Sequence, residues 1–436
     1  MEDLFEPVVE VARRHGVWAE LWGEVTEGLT VERRDGRVHA VEPYRETVFS
    51  VRIIHRGRAG LSYTTRAEAE AIRKAAERAL ELARLSEEEG AVPDPQPLPE
   101  VPEVRVAHRE AGELAGLLEE AEEEALTADP RVHRIERSVL SWSETQYLIF
   151  QSEGVSARWS GGHYQFLISV TAREGEEERS AWEWREAPAL ENLNLRGLSR
   201  EAAERAAGLL SARKIPSRRL PVIFPPQAAV SLLETLSHSF CGDEVARGRS
   251  RLAGRVGERV FAPHLTLVDD GLLPQGAETR PFDDEGAPQK ETILVGEGVL
   301  EGFLYDTRWG RRAGVPSTGN ARRASFRTLP SVSPTNLYLR PGEHSLDSLR
   351  RSAPAVLEIC EMLGWHTTDP ISGDFSVGIS GFLHQNGERY PVAGLALSGN
   401  LFDLLRRVEA VGRDLTFYGD TGSPSLLIPD LDLSGS

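Results

Sequence analysis

Cysteine, methionine and lysine are scarce in this chain of 436 residues. It has two cysteines, two methionines and only three lysines among 50 basic residues. Cys241 and Cys360 cannot form a disulfide framework or a four-cysteine zinc site, so we expect a cytoplasmic protein. The low content of thermolabile residues also fits a thermophilic source, although an arginine bias arises from GC-rich coding as well.

Long apolar runs and excess positive charge are also missing. No stretch approaches the roughly 18 apolar residues of a membrane span. The first residues, MEDLFEPVVEVARRHG, lack the basic and apolar regions of a signal peptide. The net charge of −18 opposes binding to a phosphate backbone. We therefore expect neither a membrane nor a nucleic acid among the partners.

The composition that is present indicates a large α+β protein. Hydrophobic residues make up 40% of the chain, enough for a sizeable core. We predict N-terminal helices packed on antiparallel sheet, followed by a β-rich C-terminal domain. The predicted division is an α+β domain over 1–85, a proline-rich linker over 86–103, a middle α+β region over 104–215 and the β-rich domain over 216–436. The linker is expected to be an extended, semi-rigid spacer.

Three helices are predicted within the C-terminal part. The first, about 227–240, follows a strand at 220–224, and Pro225-Pro226 suits its first turn. The other two are predicted over 345–363 and 400–411, between short strands and glycine-rich loops.

Common catalytic signatures are absent. The sequence contains no GxxxxGK, GxGxxG, GxSxG or HExxH, which argues against P-loop, Rossmann, α/β-hydrolase and zincin chemistry. The acidic groups Asp269-Asp270 and Asp283-Asp284-Glu285 lack EF-hand spacing, so we expect them to be solvated loop residues.

Glu234, His238 and Cys241 are the candidate chemical residues. Glu234 and His238 share one face of the predicted helix, as residues four apart do. They could serve as metal ligand and general base, or form an ordinary surface pair. Cys241 could be a nucleophile next to His238, but a buried, inert cysteine is the commoner case.

Several segments, in order and spacing, resemble the TldD/PmbA family, in which PmbA is also called TldE and which has been described as modulators of DNA gyrase. The resemblance covers nearly the whole chain. It is carried by the strand 220–224 with the helix that follows, and by the segments GRSRLAGRVG (248–257), PFDDEG (281–286), STGNARR (317–323), PTN (334–336), SGDFS (372–376) and SPSLLI (423–428).

The resemblance implies a two-subunit peptidase that cleaves unfolded or extended peptides. The TldD-like subunit carries zinc on an HExxxH helix and a later cysteine, and the PmbA/TldE-like subunit lacks this set. Here Leu233 stands at the first histidine, Glu234 at the glutamate and His238 at the second histidine. The segment 417–424 offers no cysteine. Glu234 is therefore interpreted as vestigial, His238 as the only retained ligand equivalent, and zinc is expected on the partner.

The leading hypothesis is a non-catalytic PmbA/TldE-like subunit that completes the peptide chamber of a TldD-like partner, binding peptide by strand addition. One alternative is an independent hydrolase with an atypical site built around Glu234, His238 and Cys241. Separately, Cys241 or His264 could replace a missing zinc ligand, although the spacing does not require this. Another alternative is a non-enzymatic modulator of gyrase. A homodimer is plausible for the isolated chain. The sequence names no substrate-binding residue and no peptide.

Overall fold

The first sheet of this computed structural model, which describes residues 2–435, contains strands from both sides of the linker. Six antiparallel strands run in the order β3-β2-β1-β4-β5-β6. Their bounds are β1 Trp18–Arg34, β2 Arg37–His55, β3 Arg58–Thr64, β4 Val132–Gln151, β5 Ser156–Glu174 and β6 Glu177–Ala187. The division between 1–85 and 104–215 stays a prediction, but in space both segments build one sheet.

Four helices cover one face of this sheet. They are α1 Glu2–His15, α2 Ala69–Leu85, α3 Ala111–Ala128 and α4 Leu195–Gly208. Alternate residues of the strands point toward the helices, as the twofold period of a strand requires. Leu21 and Phe49 pack against α1 and α2, whereas Val31 and Phe166 pack against α3 and α4. The other face of the sheet is left to the C-terminal part of the chain.

The C-terminal part contains two further six-stranded sheets and a two-stranded ribbon. One sheet has the order β10-β9-β8-β13-β19-β18, the other has the order β16-β15-β14-β7-β20-β17, and β11 pairs with β12. The bounds are β7 Arg218–Phe224, β8 Leu267–Asp270, β9 Glu291–Gly296, β10 Val299–Leu300, β11 Ala321–Arg322, β12 Ser331–Val332, β13 Leu337–Leu339, β14 Ala355–Leu363, β15 Asp374–Gln385, β16 Glu388–Asn400, β17 Ala410–Val411, β18 Thr416–Tyr418, β19 Thr421–Ser423 and β20 Leu426–Ser434.

Five helices accompany these strands, namely α5 Pro226–Ser237, α6 Gly242–Ala246, α7 Thr307–Ala313, α8 Leu346–Arg350 and α9 Leu401–Arg406. The predicted α+β class is confirmed, and so is the helix after Pro225. The prediction of one helix over 345–363 is wrong, because Pro354 follows α8 and the apolar run beyond it forms β14. Both faces of β14 are buried over 356–359, and a strand buried on both faces loses its alternation.

The proline-rich segment 86–103 is docked rather than suspended between domains. Gly90 donates its N–H to the Gly57 carbonyl at 2.9 Å, and Val104 donates to the Ser160 carbonyl at 3.1 Å. Arg311 of α7 bonds Asp94 at 2.9 Å. These contacts tie the segment to the first sheet and to the C-terminal part.

No helix among residues 2–435 is long and apolar enough to cross a membrane.

Candidate functional site

A cleft of about 1170 Å³ separates the edge of the first sheet from the C-terminal part. Residues 180–186 of the edge strand β6 form one wall, and the polar face of α5 forms another. The turn between β18 and β19 closes the cleft beside α5. Glu234 and Asp420 both line this space.

The helix α5 presents two different faces. Leu232, Leu233 and Leu236 are buried in the C-terminal core. Glu234 lies on the other side and lines the cleft. The indole of Trp365 fixes this helix by donating from Nε1 to the Ser231 carbonyl at 3.1 Å and to Thr235 Oγ1 at 3.0 Å.

The structure does not bring the predicted ligand equivalents together. Leu233 is only 1% exposed, whereas His238 is exposed and starts the 3₁₀ turn that follows the helix. A leucine side chain offers no atom that can bind zinc. Within residues 2–435, no three histidine, cysteine, aspartate or glutamate side chains are arranged to hold a metal ion. The residues present therefore do not fit a zinc site of the HExxxH type.

Cys241 and His264 do not complete such a site. Cys241 is buried, its thiol donates to the Ser237 carbonyl at 3.7 Å, and burial raises its pKa far above the usual value. A thiol held in this state is a poor nucleophile. His264 is exposed, and partial desolvation together with the charge of His344 lowers its pKa.

The segment 417–424, which the resemblance pairs with the zinc-ligand cysteine, does lie beside α5. Asp420 occupies the turn between β18 and β19 and raises the pKa of Glu234, after the larger effect of desolvation. Gly419 adopts a φ of +66°, and a Cβ there would stand 3.2 Å from the ring of Trp184. The turn is thus packed against β6, which places Asp420 in the cleft.

Sequence reasoning missed the carboxylates of the facing wall. Glu186 of β6 has a pKa raised to about 7, because it is desolvated and repelled by Glu278 and Asp420. Glu278 forms an ion pair with Arg322 at 2.6 Å. The alternation of β6 could have placed Glu186 on the same face as Trp184, but nothing in the sequence showed that this face meets the turn at Asp420.

The expectation that the two acidic groups are solvated is wrong. Asp269 is buried and accepts hydrogen bonds from Asn320 Nδ2 at 2.7 Å and from Thr335 Oγ1 at 2.9 Å. Asn336 donates to the Asp270 carbonyl at 2.7 Å. These side chains therefore hold the segments STGNARR and PTN against β8, because a buried carboxylate requires such donors.

The segment PFDDEG joins the C-terminal part to the polar face of the first sheet. Asp284 accepts from Trp22 Nε1 at 3.1 Å and pairs with Arg280 at 2.8 Å. Arg323 pairs with Glu20 of β1 at 2.7 Å. These groups are buried, so the pairs compensate one another's desolvation rather than face solvent.

Comparison with known proteins identifies the class to which this fold and cleft belong. Sequence profiles of PmbA/TldA metallopeptidases match almost the whole chain: domain 1 matches residues 19–83, the central domain 104–210 and the C-terminal domain 217–435. The chain belongs to the PmbA/TldD family, as its motifs indicated.

Individual relatives carry both the PmbA and the TldD names. The chain is 26% identical to metalloprotease PmbA of Escherichia coli O157:H7, covering 100% of this chain and 96% of the relative. It is 29% identical to a metalloprotease TldD homologue of Haemophilus influenzae, over 68% of this chain and 63% of the relative. An uncharacterised protein of Methanocaldococcus jannaschii is 36% identical, but the match covers 47% of this chain and 49% of that relative.

Solved structures show the same fold. A Thermotoga maritima protein described as a candidate modulator of a DNA gyrase matches with a TM-score of 0.91 and 27% identity, covering 99% of this chain and 100% of that one. TldE from Thermococcus kodakarensis matches with a TM-score of 0.93 and 21% identity, covering 99% and 100%. At that identity the second match is evidence of fold alone.

Proposed function

We propose that this chain is the TldE-type subunit of a TldD/TldE-type metallopeptidase complex that cleaves unfolded or extended peptides. The observation that carries the proposal is the position of Leu233. It stands where a TldD-like chain has its first zinc ligand, and it is buried in the core while Glu234 lines the cleft. A leucine in this environment supplies no ligand, so the zinc and the bond cleavage belong to a TldD-like partner.

The cleft beside α5 supports a role in enclosing peptide. It is bounded by two sheet edges, β6 and β18, and by a helix face. A second chain of similar fold would close such a space and restrict entry to unfolded segments. We extend the proposal to a cytoplasmic location and to a homodimer when the partner is absent.

The experiment combines this chain with a TldD-like chain that retains the HExxxH motif. We expect the two to coelute on size-exclusion chromatography and the mixture to cleave an unfolded peptide faster than the TldD-like chain alone. The proposal is contradicted if the two chains do not coelute and if adding this chain leaves the rate of peptide cleavage unchanged. Native mass spectrometry of this chain alone is expected to show a metal-free mass.

The alternative of an independent hydrolase is tested by His238→Ala. The exposed imidazole and the buried Cys241 thiol share no hydrogen bond among residues 2–435. We therefore expect no peptidase activity in the isolated chain and full activity of the complex with the His238→Ala variant. Activity of the isolated chain that this substitution abolishes would establish the alternative instead.

A further inference from the structure

The cleft beside α5 contains many more negative than positive side chains. Seven of its carboxylates have no ion pair within residues 2–435, namely Glu186, Glu201, Glu204, Glu234, Glu361, Asp414 and Asp420. Among the four arginines that line it, Arg185 and Arg205 pair with Glu183, Arg350 pairs with Glu358, and Arg389 lies over the ring of Phe382 without an ion pair in the described residues. The local charge is thus uncompensated and favours a cationic occupant.

The same cleft exposes apolar side chains. Trp182 of β6 is 48% exposed and Leu363 is 66% exposed, and both line the cleft. Met362 and Trp365 lie in the same lining. Large exposed apolar groups inside a concave space are typical of a binding site rather than of bare surface.

The side chains of β6 repeat at the spacing of an extended peptide. Trp182, Trp184 and Glu186 point to one face of the strand, because side chains alternate. Neighbours on that face are about 6.8 Å apart, the distance between alternate residues of an extended chain. A peptide lying along the strand can therefore put alternate side chains on the two indoles and the carboxylate.

The backbone of β6 is less available for hydrogen bonds to a bound peptide than its side chains are for contacts. Arg205 Nη1 donates to the Trp182 carbonyl at 3.3 Å, and Arg185 Nη1 donates to the Trp184 carbonyl at 2.7 Å. Guanidinium groups at these carbonyls oppose the addition of another strand, as charged groups at sheet edges do. Binding at this edge consequently depends on side chains, which makes it selective for sequence.

From these observations we infer that the cleft selects extended peptides in which a lysine or arginine lies four residues from a large apolar residue. The cationic group contacts the carboxylates of Glu186, Glu234 and Asp420, and the apolar side chain contacts Trp182 and Leu363. The inference rests on the proposed function for the identity of the occupant as a peptide substrate. It adds a preference that strand addition alone would not produce.

The test measures fluorescence anisotropy of short labelled peptides with the full purified chain. The first peptide places a lysine four residues from a leucine with serines between them, the second has glutamate for lysine, and the third has serine for leucine. We expect the first to bind about tenfold more tightly than either of the others. Added salt should weaken its binding, because charge attraction is screened.

Two variants locate the site. Glu186→Gln combined with Asp420→Asn should remove most of the preference for lysine over glutamate, and Trp182→Ser should remove the preference for leucine over serine. The matched control combines Glu77→Gln with Glu123→Gln, which are exposed, remote from the cleft lining and without ion pairs in the described residues. This control removes the same number of carboxylates and should keep both preferences.

The outcomes separate this inference from the proposed function. Equal binding of lysine and glutamate peptides, or an unchanged preference in the cleft variant, overturns the inference. The inference is also overturned if the cleft binds a partner chain instead of peptide. In that case the chain assembles tightly with the partner, and none of the variants changes peptide binding. Failure to assemble with a TldD-like chain overturns the proposed function, whereas a charge preference seen in the isolated chain would still stand.

Discussion

Asn320 donates a hydrogen bond from Nδ2 to Oδ2 of Asp269 at 2.7 Å, although 51 residues separate the two in the chain. The Asp269 carboxylate is buried, and desolvation raises its pKa to about 6 despite this bond and those from Thr335. The pair shows that a motif of the family ties a loop to the strand β8 rather than lining the cleft.

Asn320→Ala is expected to lower the free energy of unfolding by roughly 2 kcal/mol, because the substitution leaves a buried carboxylate short of a donor. Urea denaturation measures the change. The control is Asn192→Ala, an exposed asparagine without a side-chain hydrogen bond in the described residues. Equal losses for the two variants would show that the Asp269–Asn320 bond contributes nothing.

Leu233→His is expected to destabilise the chain without creating a zinc site. The new imidazole would be buried among leucines without a partner, at a cost of about 3 kcal/mol. Urea denaturation gives the loss of stability, and competition with a coloured chelator gives zinc affinity. Submicromolar zinc binding by this variant would show that the helix can turn position 233 toward the cleft.

Arg323→Ala is expected to weaken the contact between the first sheet and the C-terminal part. Arg323 is buried, pairs with Glu20 and donates its backbone N–H to Asp284 at 2.7 Å. Removing the guanidinium leaves Glu20 paired with Arg52 alone, at a cost of about 1–3 kcal/mol. Calorimetry should show a lower Tm and a broader transition. Arg37→Ala, at an exposed arginine without an ion pair in the described residues, should change the Tm little.

Glu358 is expected to make the stability depend on acid pH. Burial opposes its ionisation, but hydrogen bonds from His384 and Arg350 outweigh burial and lower its pKa from 4.5 to about 2. A depressed folded-state pKa stabilises the protein above pH 4.5, and this contribution is lost as the pH falls toward 2. The contribution amounts to roughly 3 kcal/mol at most.

Urea unfolding at several pH values tests whether Glu358 makes the stability depend on acid pH. Glu358→Gln should flatten the dependence of unfolding free energy on pH below 4.5, whereas the exposed Glu388→Gln should not. Parallel pH profiles for wild type and Glu358→Gln would contradict the assignment.

The fold class follows from the sequence because long periodic segments dominate it. The helix 2–15 and the strand–helix unit from Leu220 are predictable, since their apolar periods and the Pro225-Pro226 pair are local signals. The strand at 355–363 is not, because burial on both faces hides the alternation. Asp284 was misjudged for a related reason, since it accepts hydrogen bonds from Trp22 of β1 and from the N–H of Arg323, which are distant in the sequence.

The candidate site was only half visible in the sequence. The helix that carries Glu234 and the cysteine-free segment 417–424 were identified from motifs, and the structure places them side by side. Glu186 and Trp182 were not, because their strand meets the cleft only through the assembly of the first sheet with the C-terminal part. Long-range contacts of this kind leave no local pattern.

The shared first sheet has a practical consequence for dividing the chain into fragments. Strands β1 and β4 pair along most of their length, from Glu20 opposite Gln151 to Arg33 opposite Ser138. A fragment ending at residue 85 would expose the full unpaired side of β1, and long bare edges promote aggregation. The smallest fragment expected to remain in solution by itself therefore extends through α4, to about residue 210, whatever the boundaries drawn from sequence similarity.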